Sequence, residues 1–211
     1  IPLHMIDEDL NTHIVSKIIR AHFPGHKNEI SWEKSTLGFH KNKSWGDTAS
    51  DEGWVHVDEG EDIAGLIYLT PGCPLETGTN IYHLKDEWRD KHDDTNSDDC
   101  SQKLLLYSGS PDFDKKKYNK QLRDYNNRFE VVSKFNNVYN RMIMWSGDEY
   151  HGAQSFQGYE DEERLTLLFF IGGVTVDNIP PMDYVKAIDK DIESFISRHK
   201  PNPELKDWRP T

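Results

Sequence analysis

The sequence predicts a mainly β domain, a two-sheet jelly roll with one helix before it and one after it. Three observations carry that prediction. The middle of the chain breaks into eight short runs rich in β-branched and aromatic residues, separated by turn residues, as a jelly roll requires. Each end carries apolar residues at helical spacing. The 211 residues are enough for one well-buried core, so a single domain over 1–211 is expected.

At the N-terminus Leu10, Ile14, Val15, Ile18, Ile19 and Phe23 line one helical face, with Asp7, Glu8 and Asp9 at the start and Pro24-Gly25 at the stop. The predicted strands are 30–39, 53–57, 63–70, 79–84, 129–135, 141–145, 150–156 and 165–171. Between the fourth and fifth, residues 85–128 are dense in Asp, Lys, Asn and Ser, with helical character around 118–129. Too few apolar residues lie there for a second core, so the segment reads as an insertion, a candidate lid. A last helix follows Pro180-Pro181, with Val185, Ile188, Ile192, Phe195 and Ile196 on one face and a basic end before Pro201.

A net charge of −12 disfavours binding to a phosphate backbone, so no nucleic-acid partner is expected. The basic run at 115–117 sits beside Asp112 and Asp114 and reads as a solvated face. No run approaches the roughly 18 apolar residues of a membrane span, and the expectation is a soluble, cytoplasmic protein. The chain begins at Ile1, which is expected of a processed or trimmed product. Cys73 and Cys100 are too few for a disulfide framework and read as free thiols.

The chemistry concentrates in His56, Asp58, His151 and Arg164. Ten histidines in an Asp-rich chain give about one His-x-Asp match by chance, and this chain has two. His92-Asp93-Asp94 lies in the polar insertion and reads as a mobile acidic loop. His56-Val57-Asp58 follows Trp54 and Val55 in a predicted strand, where period-two alternation puts both ligand types on one face. A hydrogen-bonded histidine with Asp58 opening a turn explains the same spacing equally well. His151 starts another predicted strand before Gly152 and Ala153, small residues that leave room beside a metal. Two histidines and a carboxylate are the facial set of non-haem iron(II) oxygenases. Arg164 opens the most apolar strand, where an inward guanidinium needs an anion and Thr166, two residues on, adds a hydroxyl on the same face. The alternative is an edge arginine paired with Glu162 or Glu163. Trp54, Tyr82, Trp145 and Tyr150 are candidates for a substrate wall.

In chain order, WVHVD, IYLTP at 67–71, GTNIYHL at 78–84 and His151 with RLT at 164–166 resemble the 2-oxoglutarate and iron(II)-dependent dioxygenases, in their prolyl-4-hydroxylase-like branch. The resemblance spans 53–171, with the insertion as its largest departure. It implies a double-stranded β-helix, a cupin-like distorted jelly roll with iron near one open end. It further implies that His56, Asp58 and His151 hold iron(II), that Arg164 binds the distal carboxylate of 2-oxoglutarate, and that Tyr68 shares that carboxylate. The implied reaction takes O2 and hydroxylates a C–H bond of a peptidyl residue, proline among the candidates, or of a free amino acid, releasing succinate and carbon dioxide. Thr77-Gly78-Thr79 replaces the usual Gly-Gly-Thr, and the cation is arginine where many prolyl hydroxylases use lysine; both departures weaken the case for proline. The partner is then a small molecule or a peptide. The competing class is a cupin-like or lectin-like β-sandwich that binds metal or sugar without turnover, in which a buried dicarboxylate anchor at Arg164 has no purpose.

Overall fold

The computed structural model describes residues 2–23, 30–42, 52–90, 101–157 and 163–175. The chain divides into two compact units, Ile1–Asp177 and Asn178–Thr211, and every described residue belongs to the first. The predicted C-terminal helix, the second His-x-Asp and Cys100 lie outside the described residues. Cys73 is half-buried.

The first helix, α1, spans Glu8–His22. Asp7 caps it, its carboxylate accepting the Leu10 N–H at 2.9 Å, and Glu8 and Asp9 complement the helix dipole in the first turn. Among the described residues seven strands follow: β1 (Lys34–Asn42), β2 (Ile63–Tyr68), β3 (Thr79–Leu84), β4 (Phe129–Phe135), β5 (Met142–Trp145), β6 (His151–Ala153) and β7 (Arg164–Gly172). Between β3 and β4 stand α2 (Ser101–Tyr107) and α3 (Lys115–Asn126).

The strands form two antiparallel sheets, ordered β1-β7-β2-β5 and β4-β3-β6, so the unit is mainly β and consistent with a β-sandwich. Side-chain alternation sorts the core into layers. On β7, Leu167, Phe169 and Ile171 face outward against Val15, Ile18 and Ile19 of α1. Leu168 and Phe170 face the other way, onto a cluster of Ala64, Leu66, Tyr68, Ile81, Ile143 and Trp145 drawn from both sheets. By the same parity Arg164 and Thr166 stand on the inner face of β7, and both are buried.

Two expectations need correction. The predicted strand 53–57 joins β6 only through one bridged pair, His56 with His151, flanked by a Gly53 N–H to Ala153 O bond of 2.9 Å. Trp54 and Val55 are both buried, and two consecutive inward residues break the alternation a regular strand needs. The insertion, read as too polar for a core, does not build its own; it completes one. Tyr118, Leu122 and Tyr125 of α3 pack with Trp54, Val55, Tyr82 and Phe129 in a single buried cluster. The basic run at 115–117 is exposed on the first turn of α3, where the Asp114 carboxylate accepts the N–H groups of Lys116 and Lys117. Among the described residues no helix is long and apolar enough to cross a membrane.

Candidate metal centre

His56 and His151 face each other because their backbones exchange both hydrogen bonds of the bridge, at 3.0 and 2.9 Å. Their rings stand 4.2 Å apart. Asp58 reaches the same point through its own backbone, whose N–H donates to Gly147 O at 2.7 Å. Gly147 has no substitute there: a Cβ would lie 2.0 Å from Glu61 O and 2.8 Å from Asp58 O. A turn without a side chain therefore sets the carboxylate beside the two imidazoles.

The ligand atoms of His56, Asp58 and His151 all lie within 4.8 Å of one another. His151 Nε2 is 3.3 Å from Asp58 Oδ2, and His56 Nε2 is 3.8 Å from Asp58 Oδ1. Ligands about 2.1 Å from one ion and at right angles around it stand about 3 Å apart, so these separations suit one ion. The tautomers suit it too. His56 Nδ1 lies 2.9 Å from Trp54 O and His151 Nδ1 lies 3.0 Å from Glu149 O; a carbonyl only accepts, so both Nδ1 atoms carry the proton and both Nε2 lone pairs are free. Burial, reinforced by the neighbouring His56, holds the His151 imidazole down at about 3, so it is neutral at physiological pH. Burial pushes Asp58 the other way, above the usual carboxylate range, against the opposing influence of His56 and of a hydrogen bond from Trp145. A dication beside that carboxylate removes the cost of its charge. His56 remains 49% exposed against 6% for His151, so one side of the cluster faces solvent.

The predicted anion partners gather on the inner sandwich face. Tyr68 is fully buried and its hydroxyl lies 2.9 Å from Thr79 Oγ1. Thr79 stands two residues from Ile81, the register partner of His151 on β3, a separation of about 7 Å at the strand rise. Arg164 is buried; its Nη1 donates to Thr77 O, its guanidinium lies 5.4 Å from the Phe156 ring, and its Nε has no hydrogen-bond partner. A buried guanidinium with an unused N–H, close enough to the Tyr68 hydroxyl to act on it electrostatically, fits a carboxylate guest. Glu163, the alternative partner read from sequence, pairs with Lys41. Thr166 is buried as expected, with its hydroxyl donating to His40 O at 3.4 Å.

Several sequence readings change. Gly152 does not open space beside the ligands; a Cβ there would meet Trp54 O at 3.2 Å, so its smallness admits the 53–57 backbone. Trp54 and Tyr82 belong to the α3 cluster, and Tyr150 packs at a tilt against Phe129, ring centres 4.8 Å apart. Trp145 does touch the site, through Asp58 and His151. Thr77, Thr79 and Phe156 were not singled out as site residues, because their relation to Arg164 and Tyr68 exists only across the sandwich.

No family model matches the chain, and no curated protein does either. Among solved structures, a prolyl 4-hydroxylase from Phytophthora capsici is similar to it with a TM-score of 0.39 and 13% sequence identity. That match covers 91% of this chain and 50% of the other, so the chain spans about half the length of the protein it matches. The functional reading rests on the side-chain geometry.

Proposed function

We propose that the chain is an iron(II)- and 2-oxoglutarate-dependent dioxygenase on a double-stranded β-helix, hydroxylating a C–H bond of a peptidyl residue, proline among the candidates, or of a free amino acid. The observation that carries this reading is the pair of imidazoles with proton-bearing Nδ1 atoms anchored on backbone carbonyls and Nε2 atoms turned to one carboxylate. Bound iron(II) with 2-oxoglutarate and O2 supplies C–H hydroxylation coupled to release of succinate and carbon dioxide.

His56, Asp58 and His151 would hold the metal on one face, and the net single positive charge of two neutral imidazoles, one carboxylate and a dication attracts a dianionic cosubstrate. Arg164 neutralises the distal carboxylate away from water, where charge pairing is strong, and Tyr68 and Thr79 supply hydroxyls beside it. Thr166 lines the same face.

Anaerobic titration with iron(II) and then 2-oxoglutarate tests the reading through the visible iron-to-ketoacid absorption band. Wild type is expected to develop the band, Asp58→Ala to lose it, and Arg164→Ala to bind metal normally while needing at least about tenfold more 2-oxoglutarate, since a buried charged hydrogen bond is worth about 1.5–3 kcal/mol. A folded, iron-loaded wild type without a band would leave a metal-binding sandwich without this chemistry.

A further inference from the structure

Trp145 comes from β5, in the sheet opposite the one that carries His151 on β6. It is 9% exposed, and its register partner on β2 is Ala64, small enough to leave the indole undisplaced. Its Nε1–H donates to Asp58 Oδ2 at 3.3 Å, and its ring lies 4.5 Å from the His151 ring at 38°. One side chain thus touches two of the three candidate ligands.

A residue needed only for packing would be satisfied by the ring. Here the single polar atom of the indole is aimed at a carboxylate, and the acceptor is an oxygen that also stands 3.3 Å from His151 Nε2. The identity of the donor matters. A lysine or arginine at this place would cancel the charge that a metal needs from Asp58, whereas a neutral N–H holds the carboxylate and leaves its full negative charge. Engaging one oxygen also disfavours a two-oxygen grip on a metal, which would consume a coordination position that must stay open.

We infer that Trp145 is a positioning residue of the metal centre, its indole N–H fixing the Asp58 carboxylate for one-oxygen coordination and its ring fixing the His151 imidazole. The inference rests on the metal reading of the preceding section. Outer partners of metal ligands are worth 10- to 100-fold in affinity where they have been removed, and this contact belongs to that class.

The test is cobalt(II) titration of metal-free wild type and Trp145→Phe, read by the dissociation constant and the cobalt d–d absorption, with circular dichroism melting of both metal-free proteins. Phenylalanine keeps a ring against His151 and removes the N–H. The expected result is one equivalent bound by wild type, binding at least about tenfold weaker in Trp145→Phe, and an altered d–d spectrum as the released carboxylate takes a second bond to the metal. Equal affinity with an identical spectrum overturns the role of Trp145 and leaves the metal centre standing. A wild type that binds no cobalt overturns the metal reading and this inference with it. Should Trp145→Phe fail to fold, the assigned indole N–H resonance of wild-type Trp145 decides: zinc(II) is expected to shift it and slow its exchange with solvent, and an unmoved, freely exchanging N–H overturns the inference.

Discussion

His151 is held at about 3 by burial and by His56, against an ordinary value of 6.5. Between those values the unfolded chain binds a proton that the folded chain refuses, so acid favours unfolding. The stability that depends on a neutral His151 is complete above pH 6.5 and is lost as pH falls toward 3. Asp58, raised by burial, works in the opposite sense, because its folded form takes up a proton more readily than its unfolded form. Urea midpoints of metal-free wild type and His151→Gln between pH 7 and pH 5 separate the two. Wild type should lose more stability on acidification than the variant, and parallel curves would contradict the assignment. At this scale the sequence was readable where chemistry is local. His56 and Asp58 are two apart, and Arg164 opens an apolar strand, so each announces itself by spacing or incongruity. Trp145, Thr77 and Thr79 carry no such signal, because an indole or a hydroxyl in a strand is ordinary until its partner arrives from the other sheet.

The elements were legible in proportion to their periodicity. α1 followed from its apolar stripe and capping acids, and 79–84 and 129–135 appear as β3 and β4 with the predicted bounds. The 53–57 segment was harder, since only the fold reveals that Trp54 and Val55 both turn inward. α3 was partly hidden by its composition: a polar helix whose few apolar residues complete a cluster begun by other elements looks like an excursion when read alone. Its docking has a measurable consequence. Leu122 is fully buried there, so Leu122→Ala should cost about 2–5 kcal/mol by urea unfolding, with loss of order in the 53–57 segment that carries His56. A cost below about 1 kcal/mol would mean that α3 contributes little to holding that segment.

At the scale of the whole unit, the candidate site exists because two sheets meet. The smaller sheet brings His151, the segment bridged to it brings His56 and Asp58, and the larger sheet brings Trp145, Tyr68 and Arg164. The inner face changes character along its length, from the metal cluster beside Trp145 to the guanidinium and hydroxyls around Thr77 and Thr79. No stretch of sequence contains that arrangement, although His56, Asp58, His151 and Arg164 each stood out as a candidate by residue type and spacing. The most direct test of the central claim is anomalous diffraction at the iron edge from crystals grown anaerobically with iron(II). The account predicts one strong peak coordinated by Nε2 of His56, Nε2 of His151 and one carboxylate oxygen of Asp58. A fully iron-loaded protein with its peak elsewhere, and with those three side chains free of metal, would contradict it.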